Sequence, residues 1–350
     1  MSTDAPCIPS YEILSQLGQG GMGTVYLAWD VRLERRVALK LLSRGLADDD
    51  SARRRFLLEA RAAASLEHPN ICTIYTVDET PDGQVYIAMS YYEGRTLQQR
   101  LVDGPLSTRE AVGCAADIAR GLAKAHDKGI IHRDIKPANV MLPTEGGLKI
   151  LDFGVAKLPG SDLTRTGFIV GTASYMSPEQ TRGEPVDHRT DIWALGVVLY
   201  EMLTGRRPFN ADTAPAVMYA ILATDPAPLS SWRADLPGVL DSLVRRMLGK
   251  QASDRPGSAG ELAQELGALA ALLGADSAPS ERPSTVTLEG ERRAVALLAA
   301  RLDGYDQLVE RLAPEEAERI LSRVRSVALD VAEGHNGRID HFEGDGLLSE

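Results

Sequence analysis

The feature that most constrains this chain is a change of apolar rhythm near Gly94. Before it, YEILSQLG, GTVYLAW, RRVALKLL and QVYIAMSY read as β-type segments rich in branched and aromatic residues. A single helix interrupts them, from about 51 to 66, with Phe56, Ala60, Ala63 and Leu66 on one face. After it, apolar residues recur at helical spacing: Val112, Ala115, Ala119, Leu122 and His126, then Ile192, Leu195, Leu199 and Met202. Ser107 or Thr108, followed by Glu110, marks a helix start. Further helical segments fall near 213–223, 236–248 and 258–273. The expected class is α+β: a loose leader (1–10), a β-rich lobe (11–93) and a larger helical lobe (94–272).

Composition narrows the partners. Apolar residues make up 44% and charged residues 25%, a soluble globular profile. The net charge of −11 disfavours nucleic acid. Cys7, Cys72 and Cys114 are scattered without a disulfide or metal-ligand spacing, which fits a reducing, cytoplasmic compartment. The first ten residues lack the basic and apolar regions of a secretory signal. No window reaches the length a membrane span needs. The nearest, 262–275, is broken by Gln264, Glu265 and Gly267. Residues 273–288 are rich in Ser, Pro and Ala and read as a linker. A new segment, 289–350, follows. It offers a strand at AVALLAA, a helix over 314–333 with Pro314, Glu315 and Glu316 at its start, and a strand near 337–342.

Residues 18–25 (GQGGMGTV) carry glycines that let a backbone turn tightly and approach phosphates. A bare structural turn fits the same run. Yet the loop continues into VYLAWD, a strand, which favours a hairpin folded over a nucleotide above a dinucleotide-type loop. Lys40 ends the apolar run VALK and needs a partner if buried. Glu59, bordering the apolar face of the 51–66 helix, is the expected partner, holding the ammonium against α- and β-phosphates. Residues 86–93 should link the lobes, with adenine bonding to backbone at Ser90 and Tyr92. Met89 sits behind that pocket, although an ordinary core role suits it equally.

His132-Arg133-Asp134-Ile135-Lys136-Pro137-Ala138-Asn139 is the most specific string. Phosphoryl transfer needs a carboxylate to orient and deprotonate an acceptor hydroxyl, a cation near the moving group and an oxygen ligand for a metal. Asp134, Lys136 and Asn139 answer to those three needs. Asp152-Phe153-Gly154, past an apparent hairpin in VMLPTEGGLKIL, adds a hard carboxylate for Mg2+.

In these motifs the chain resembles the eukaryotic-type protein kinases, specifically the bacterial serine/threonine kinases, over residues 11–270. The resemblance implies a two-lobed kinase fold and an ATP-dependent transfer of phosphate to protein hydroxyls. It implies ATP and Mg2+ as cofactors, with Mn2+ as the alternative metal. It places Leu17, Gly18, Gly20, Gly23, Val25, Ala38, Lys40, Met89, Ser90, Tyr92 and Met141 around the nucleotide, and Asn139 and Asp152 on the metal. Asp134, Lys136, Lys40 and Glu59 match the catalytic positions. Glu179, in Ser177-Pro178-Glu179 where relatives have Ala-Pro-Glu, is expected to pair with Arg255. Asp191 resembles the buried aspartate that props the catalytic loop. Ser90 departs from the acidic hinge residue that relatives often carry.

Residues 155–176 resemble an activation loop. Thr164 and Thr166 match autophosphorylation positions, with Arg133 as the phosphate's basic partner. Thr172 is expected beside Asp134 and Lys136. The resemblance implies protein substrates and self-association for trans-autophosphorylation. A nucleotide-binding scaffold without transfer, a small-molecule kinase and a nucleotide cyclase are the competing classes. The scaffold predicts loss of Lys40, Asp134 or Asp152, and all three are present. The small-molecule kinase has little use for a full activation segment.

From Glu291 onward, RRAVALLAARLDGYDQLVERLAPEEAERI and GRIDHFEGDGLLSE resemble the opening of a class III nucleotide cyclase domain. Asp345 matches one metal-binding aspartate. Arg301 stands at the other, with Asp303 two residues away. About a third of such a domain is present, so the expectation is a fragment of a longer protein, with no working cyclase in it.

Overall fold

The computed structural model describes residues 8–20, 23–42, 50–81, 83–153, 173–275, 298–301, 339–343 and 346–349. The chain divides into two units, Met1–Pro279 and Ser280–Glu350.

The first unit begins with a five-stranded antiparallel sheet. Its strands are β1 (Tyr11–Gly20), β2 (Gly23–Asp30), β3 (Arg35–Leu42), β4 (Ile74–Glu79) and β5 (Val85–Ser90), in the order β1-β2-β3-β5-β4. β3 is central, and from Val37 to Leu42 every residue is buried, which explains its apolar run, interrupted only by Lys40. Gly23 closes the β1–β2 hairpin at φ 141°, and a Cβ there would lie 1.8 Å from the Leu41 carbonyl oxygen. No other residue type fits that position. Ile8, in the segment read as a loose leader, bridges to Tyr11 and packs with Val37, Leu39 and Tyr86. Ile8 thereby covers an apolar patch on the outer sheet face. β4 was not foreseen.

Helix α1 (Asp50–Ala64) lies between β3 and β4, and Ala60, Ala63 and Leu66 are buried as the periodicity predicts. The side chain of Phe56 lies outside the described residues.

The helical lobe starts with β6 (Gly94–Thr96) and α2 (Leu97–Leu101), then α3 (Thr108–His126). Ser107 is the cap of α3: its Oγ accepts from the Glu110 N–H at 3.3 Å, and Glu110 Oε2 accepts from the Ser107 N–H at 3.1 Å. The Ser107 hydroxyl, which donates to Glu110 Oε2 at 2.7 Å, and the Ser107 N–H together hold the Glu110 carboxyl below its ordinary range. Strands β7 (Val140–Pro143) and β8 (Lys149–Ile150) complete a three-stranded sheet with β6. Helices α4 (Pro178–Arg182), α5 (Arg189–Thr204), α6 (Ala214–Ala223), α7 (Gly238–Met247) and α8 (Ala259–Ala275) follow. α5 is buried around almost its whole circumference and forms the lobe's core, with Trp193 stacked on Phe209 at 5.4 Å. Gly121 of α3 meets Ile150 so closely that a Cβ would fall 2.7 Å from Cδ1. That contact seats the β7–β8 hairpin, whose ends carry Asn139 and Asp152.

Among its described residues, the second unit contains three antiparallel strands, β9 (Leu298–Arg301), β10 (Ile339–Glu343) and β11 (Gly346–Ser349), in the order β10-β11-β9. The helix expected over 314–333, Asp303 and Asp345 lie outside the described residues.

Candidate active site

The catalytic-loop string is held from beneath. Asp191, fully buried on the first turn of α5, accepts from the His132 N–H on Oδ2 and the Arg133 N–H on Oδ1, both at 2.8 Å. Arg133 needs this anchoring because its φ of 64° is uncommon for a residue with a side chain. The His132 ring is also committed. Its Nδ1 accepts from the Asp134 N–H at 3.2 Å, so Nε2 carries the proton and donates to the Leu151 carbonyl at 2.9 Å. Phe153 packs edge-on against that ring at 4.7 Å.

Above this base the polar groups converge. Asp134 Oδ2 lies 2.8 Å from Lys136 Nζ and accepts from Asn139 Nδ2 at 3.0 Å. The same Asn139 nitrogen donates to the Asp134 carbonyl at 2.8 Å. With its NH2 group committed, Asn139 offers only its carbonyl oxygen to any further partner. Asp152 (φ 55°) directs Oδ1 to Lys40 Nζ at 2.8 Å.

That ion pair corrects the expected Lys40–Glu59 pair. Lys40 is 7% exposed and must have a counter-charge close by. Asp152, reaching across from the end of β8, supplies it. Glu59 faces instead the Arg133 guanidinium, with Oε1 3.7 Å from Nη1. Its side chain is 38% exposed and that of Arg133 27%. The helix carrying Glu59 thus places a carboxylate beside the catalytic loop, while its Ala60 and Ala63 share a core cluster with Ala38 and Leu42 of β3.

Several of the remaining positions expected around the nucleotide are brought together by sheet register. Gly18 pairs with Val25, Gly20 with Gly23, Val25 with Lys40 and Ala38 with Met89. Leu17 is half exposed on β1, and Met141 pairs with Lys149 in the small sheet. Met89 is buried and lines an apolar cavity with Ala63, Cys72, Ile74, Ile87, Phe153 and Asp152. Burial pushes the Cys72 thiol there up to about 12. At the inter-lobe link, the Ser90 N–H is committed to the Thr73 carbonyl at 2.9 Å, and its hydroxyl to Tyr75 Oη at 2.6 Å. The Ser90 carbonyl meets the weak Cys72 S–H at 3.7 Å. Among the described residues, the Tyr92 backbone groups make no hydrogen bond.

The segment leading away from the activation loop is fixed by buried charge. Glu179 and Arg255 form a two-pronged pair at 2.7 and 2.8 Å, with the Arg255 side chain fully enclosed. Burial alone would raise the Glu179 carboxyl, but the Arg255 bonds hold it below its ordinary range. Ser177, in place of the usual alanine, caps α4: its Oγ accepts from the Gln180 N–H at 3.3 Å and shares a 2.6 Å bond with Thr190. Sequence reasoning missed Tyr175, whose hydroxyl donates to Glu201 at 2.5 Å, with Arg207 Nε 3.7 Å from the same carboxylate. Burial raises both the tyrosine and the glutamate. No pattern in the sequence pairs residues so far apart. Thr164, Thr166 and Thr172 lie outside the described residues.

The comparisons with known proteins meet this geometry. The protein kinase domain family matches residues 11–266. This chain belongs to that family. Its kinase domain is 44% identical over 273 residues to the serine/threonine-protein kinase PknB of Mycolicibacterium smegmatis, covering 76% of this chain and 44% of that protein. It is 40% identical over 307 residues to PknB of Mycobacterium tuberculosis, covering 86% and 48%. The chain therefore spans about half the length of the curated relatives it matches. The crystal structure of the Mycobacterium tuberculosis PknI kinase domain superposes with a TM-score of 0.61 and 32% identity, over 75% of this chain and 97% of that one. Both relatives and structure support the two-lobed kinase fold, a β-sheet lobe followed by a helical lobe. Among the described residues, no helix is long and apolar enough to cross a membrane.

Proposed function

We propose that residues 11–272 transfer the γ-phosphoryl group of ATP to serine and threonine hydroxyls of proteins, their own activation loop included. The observation that carries this reading is the convergence of Lys136 and Asn139 on Asp134 Oδ2, at 2.8 and 3.0 Å, on a loop pinned by Asp191. In the reaction a bond forms between the acceptor oxygen and the γ-phosphorus as the bond to the β-phosphate oxygen breaks. The hydroxyl proton passes to the Asp134 carboxylate, and ADP leaves. Lys136 offsets charge on the moving group. Lys40 is the cation for the α- and β-phosphates, which requires its ammonium to share or leave Asp152.

The donor set suits a divalent cation of the Mg2+ type. The Asn139 carbonyl oxygen and the Asp152 carboxylate are hard oxygen ligands, and the sheet at Gly23 has no room for a Cβ beside the phosphate-facing turn. When bound, such a cation neutralises phosphate charge. Adenine fits the link through the Ser90 carbonyl and the Tyr92 backbone. Thr164 and Thr166 are the proposed autophosphorylation sites, modified between copies of the chain in the cytoplasm.

The test is direct. The purified chain is incubated with labelled ATP and Mg2+ beside an Asp134→Asn version, and modified residues are mapped by mass spectrometry. Label on Thr164 or Thr166 in the wild type and not in the variant is the expected result. ATP binding with no label in either would replace the enzyme by a scaffold. Mixing the wild type with the variant reports transfer between copies.

A second reading concerns 289–350. The order β10-β11-β9, with Gly346 opposite Arg301, sets the residue that follows Asp345 in the sequence across from the end of β9. That register supports a cyclase-like opening. Arg301 at the metal position argues for a segment without cyclase activity. Isothermal titration of Mn2+ into the full chain, beside an Asp345→Asn version, checks this: tight binding that the substitution removes would overturn it.

A further inference from the structure

Two histidines sit between the clamp that closes the activation segment and the loop that carries Asp134. We propose that His188, acting through His126, is a positioning residue that couples the Glu179–Arg255 clamp to the catalytic loop. The inference rests on the kinase reading above and concerns its positioning machinery.

The path can be followed contact by contact. Arg255, bound to Glu179, also donates from Nη1 to the Arg189 carbonyl at 3.0 Å. Two residues beyond Arg255, the Gly257 carbonyl accepts from His188 Nε2 at 2.9 Å. The start of α5 is thus tied twice to the Arg255 segment. The His188 ring lies against the His126 ring, 5.5 Å between centroids at 58°. His126 Nε2 is 2.8 Å from Asp191 Oδ2, the oxygen that also accepts from the His132 N–H.

The chemistry fixes the tautomer. A carboxylate only accepts, so His126 carries its proton on Nε2. Its Nδ1 is buried and has no hydrogen-bond partner among the described residues. A ring bonded on one edge and bare on the other is not oriented by hydrogen bonds alone. The packing of His188 against it supplies the missing constraint. His188 itself makes no side-chain cap on α5 and is half-buried, so capping does not account for its orientation. Its hydrogen bond aims it at Gly257, which leaves its ring face for His126.

The consequence is that Asp191 is oriented from two directions. Backbone amides hold it from the catalytic loop, and the histidine pair holds it from the clamp. Loosening the clamp then loosens the amides of His132 and Arg133, and with them the left-handed turn that places Asp134. Gln180, whose Nε2 donates to the Arg133 carbonyl at 2.9 Å, touches the opposite side of the same turn and forms a separate contact.

The test uses the full chain with His188→Ala and His188→Gln, since a half-buried helix-start residue tolerates both. Hydrogen exchange at the His132 and Arg133 amides is read beside kcat and the KM for ATP. His188→Ala is expected to speed exchange at those two amides and to lower kcat, each about fivefold, with KM for ATP unchanged. His188→Gln keeps the donor to Gly257 and lays a planar amide where the ring packed against His126, so it is expected to bring kcat back to within about twofold of wild type. Unaltered exchange at the two amides in His188→Ala overturns the proposal. So does a kcat loss that His188→Gln shares in full. If the wild-type chain transfers no phosphate, the kinase reading fails on its own, and the exchange measurement still decides the coupling.

Discussion

The two sides of the active site are held in different ways. On the helical side, Asp191 is fully buried and takes three donors, and Arg255 grips Glu179 with two prongs. On the sheet side, Lys40 is held by a carboxylate that belongs to the other lobe. Glu59 meets Arg133 at 3.7 Å in a partly exposed pair. Buried pairs with several bonds are costly to break, whereas exposed single pairs are worth little. The difference teaches that the loop bearing Asp134 is over-determined from within its own lobe, while the sheet side depends on one buried pair made with the other lobe, Lys40–Asp152, and on the partly exposed Glu59–Arg133 pair.

Four outcomes would break or sharpen that contrast. Asp134→Asn should lower phosphate transfer by about 10²- to 10⁴-fold with ATP binding retained, measured by label incorporation beside calorimetry. A drop below about tenfold would remove the chemistry from the pinned loop. Arg255→Met should cost about 3–5 kcal/mol in denaturant unfolding, because it strands Glu179 in a buried site. A cost near that of a surface pair would erase the distinction between the two sides.

The acid limb comes next. Glu179 has a folded value below the ordinary 4.5, so it adds stability above 4.5 that is lost as pH falls through the folded value. Glu201 is raised from 4.5, so its contribution has the opposite sign and declines as pH rises from 4.5 through its folded value. Glu179→Gln should therefore flatten the fall of the melting temperature at low pH, and Glu201→Gln should not. The smallest stability change is expected for Glu59→Gln, within about 1 kcal/mol. The same variant should lower transfer roughly tenfold if Lys40 must pass from Asp152 to Glu59 in the working enzyme.

Much of this architecture was readable because it depends on local rhythm. The apolar face of α1, the cap at Ser107 and the buried run of β3 follow from short-range sequence and reappear in the structure. β4 did not, since its residues are only half-buried and show no clear alternation. The acidic and basic positions around the site were also readable, but their pairings were not. Whether Lys40 finds Glu59 or Asp152 depends on where α1 sits, which no local pattern encodes. His126 was visible as one member of the α3 stripe. Its bond to Asp191, far along the chain, was not. The Tyr175–Glu201 bond belongs to the same class, set by packing across the helical lobe.

The buried thiol behind Met89 has a consequence for labelling chemistry. With Cys72 pushed up to about 12, only about one thiol in ten thousand is ionised at pH 8. An alkylating reagent should therefore pass it by, even though it lines a cavity beside Asp152 and Phe153. Its rate of modification then becomes a clock for opening of that cavity, readable in the intact chain without a substrate, a nucleotide or a mutation.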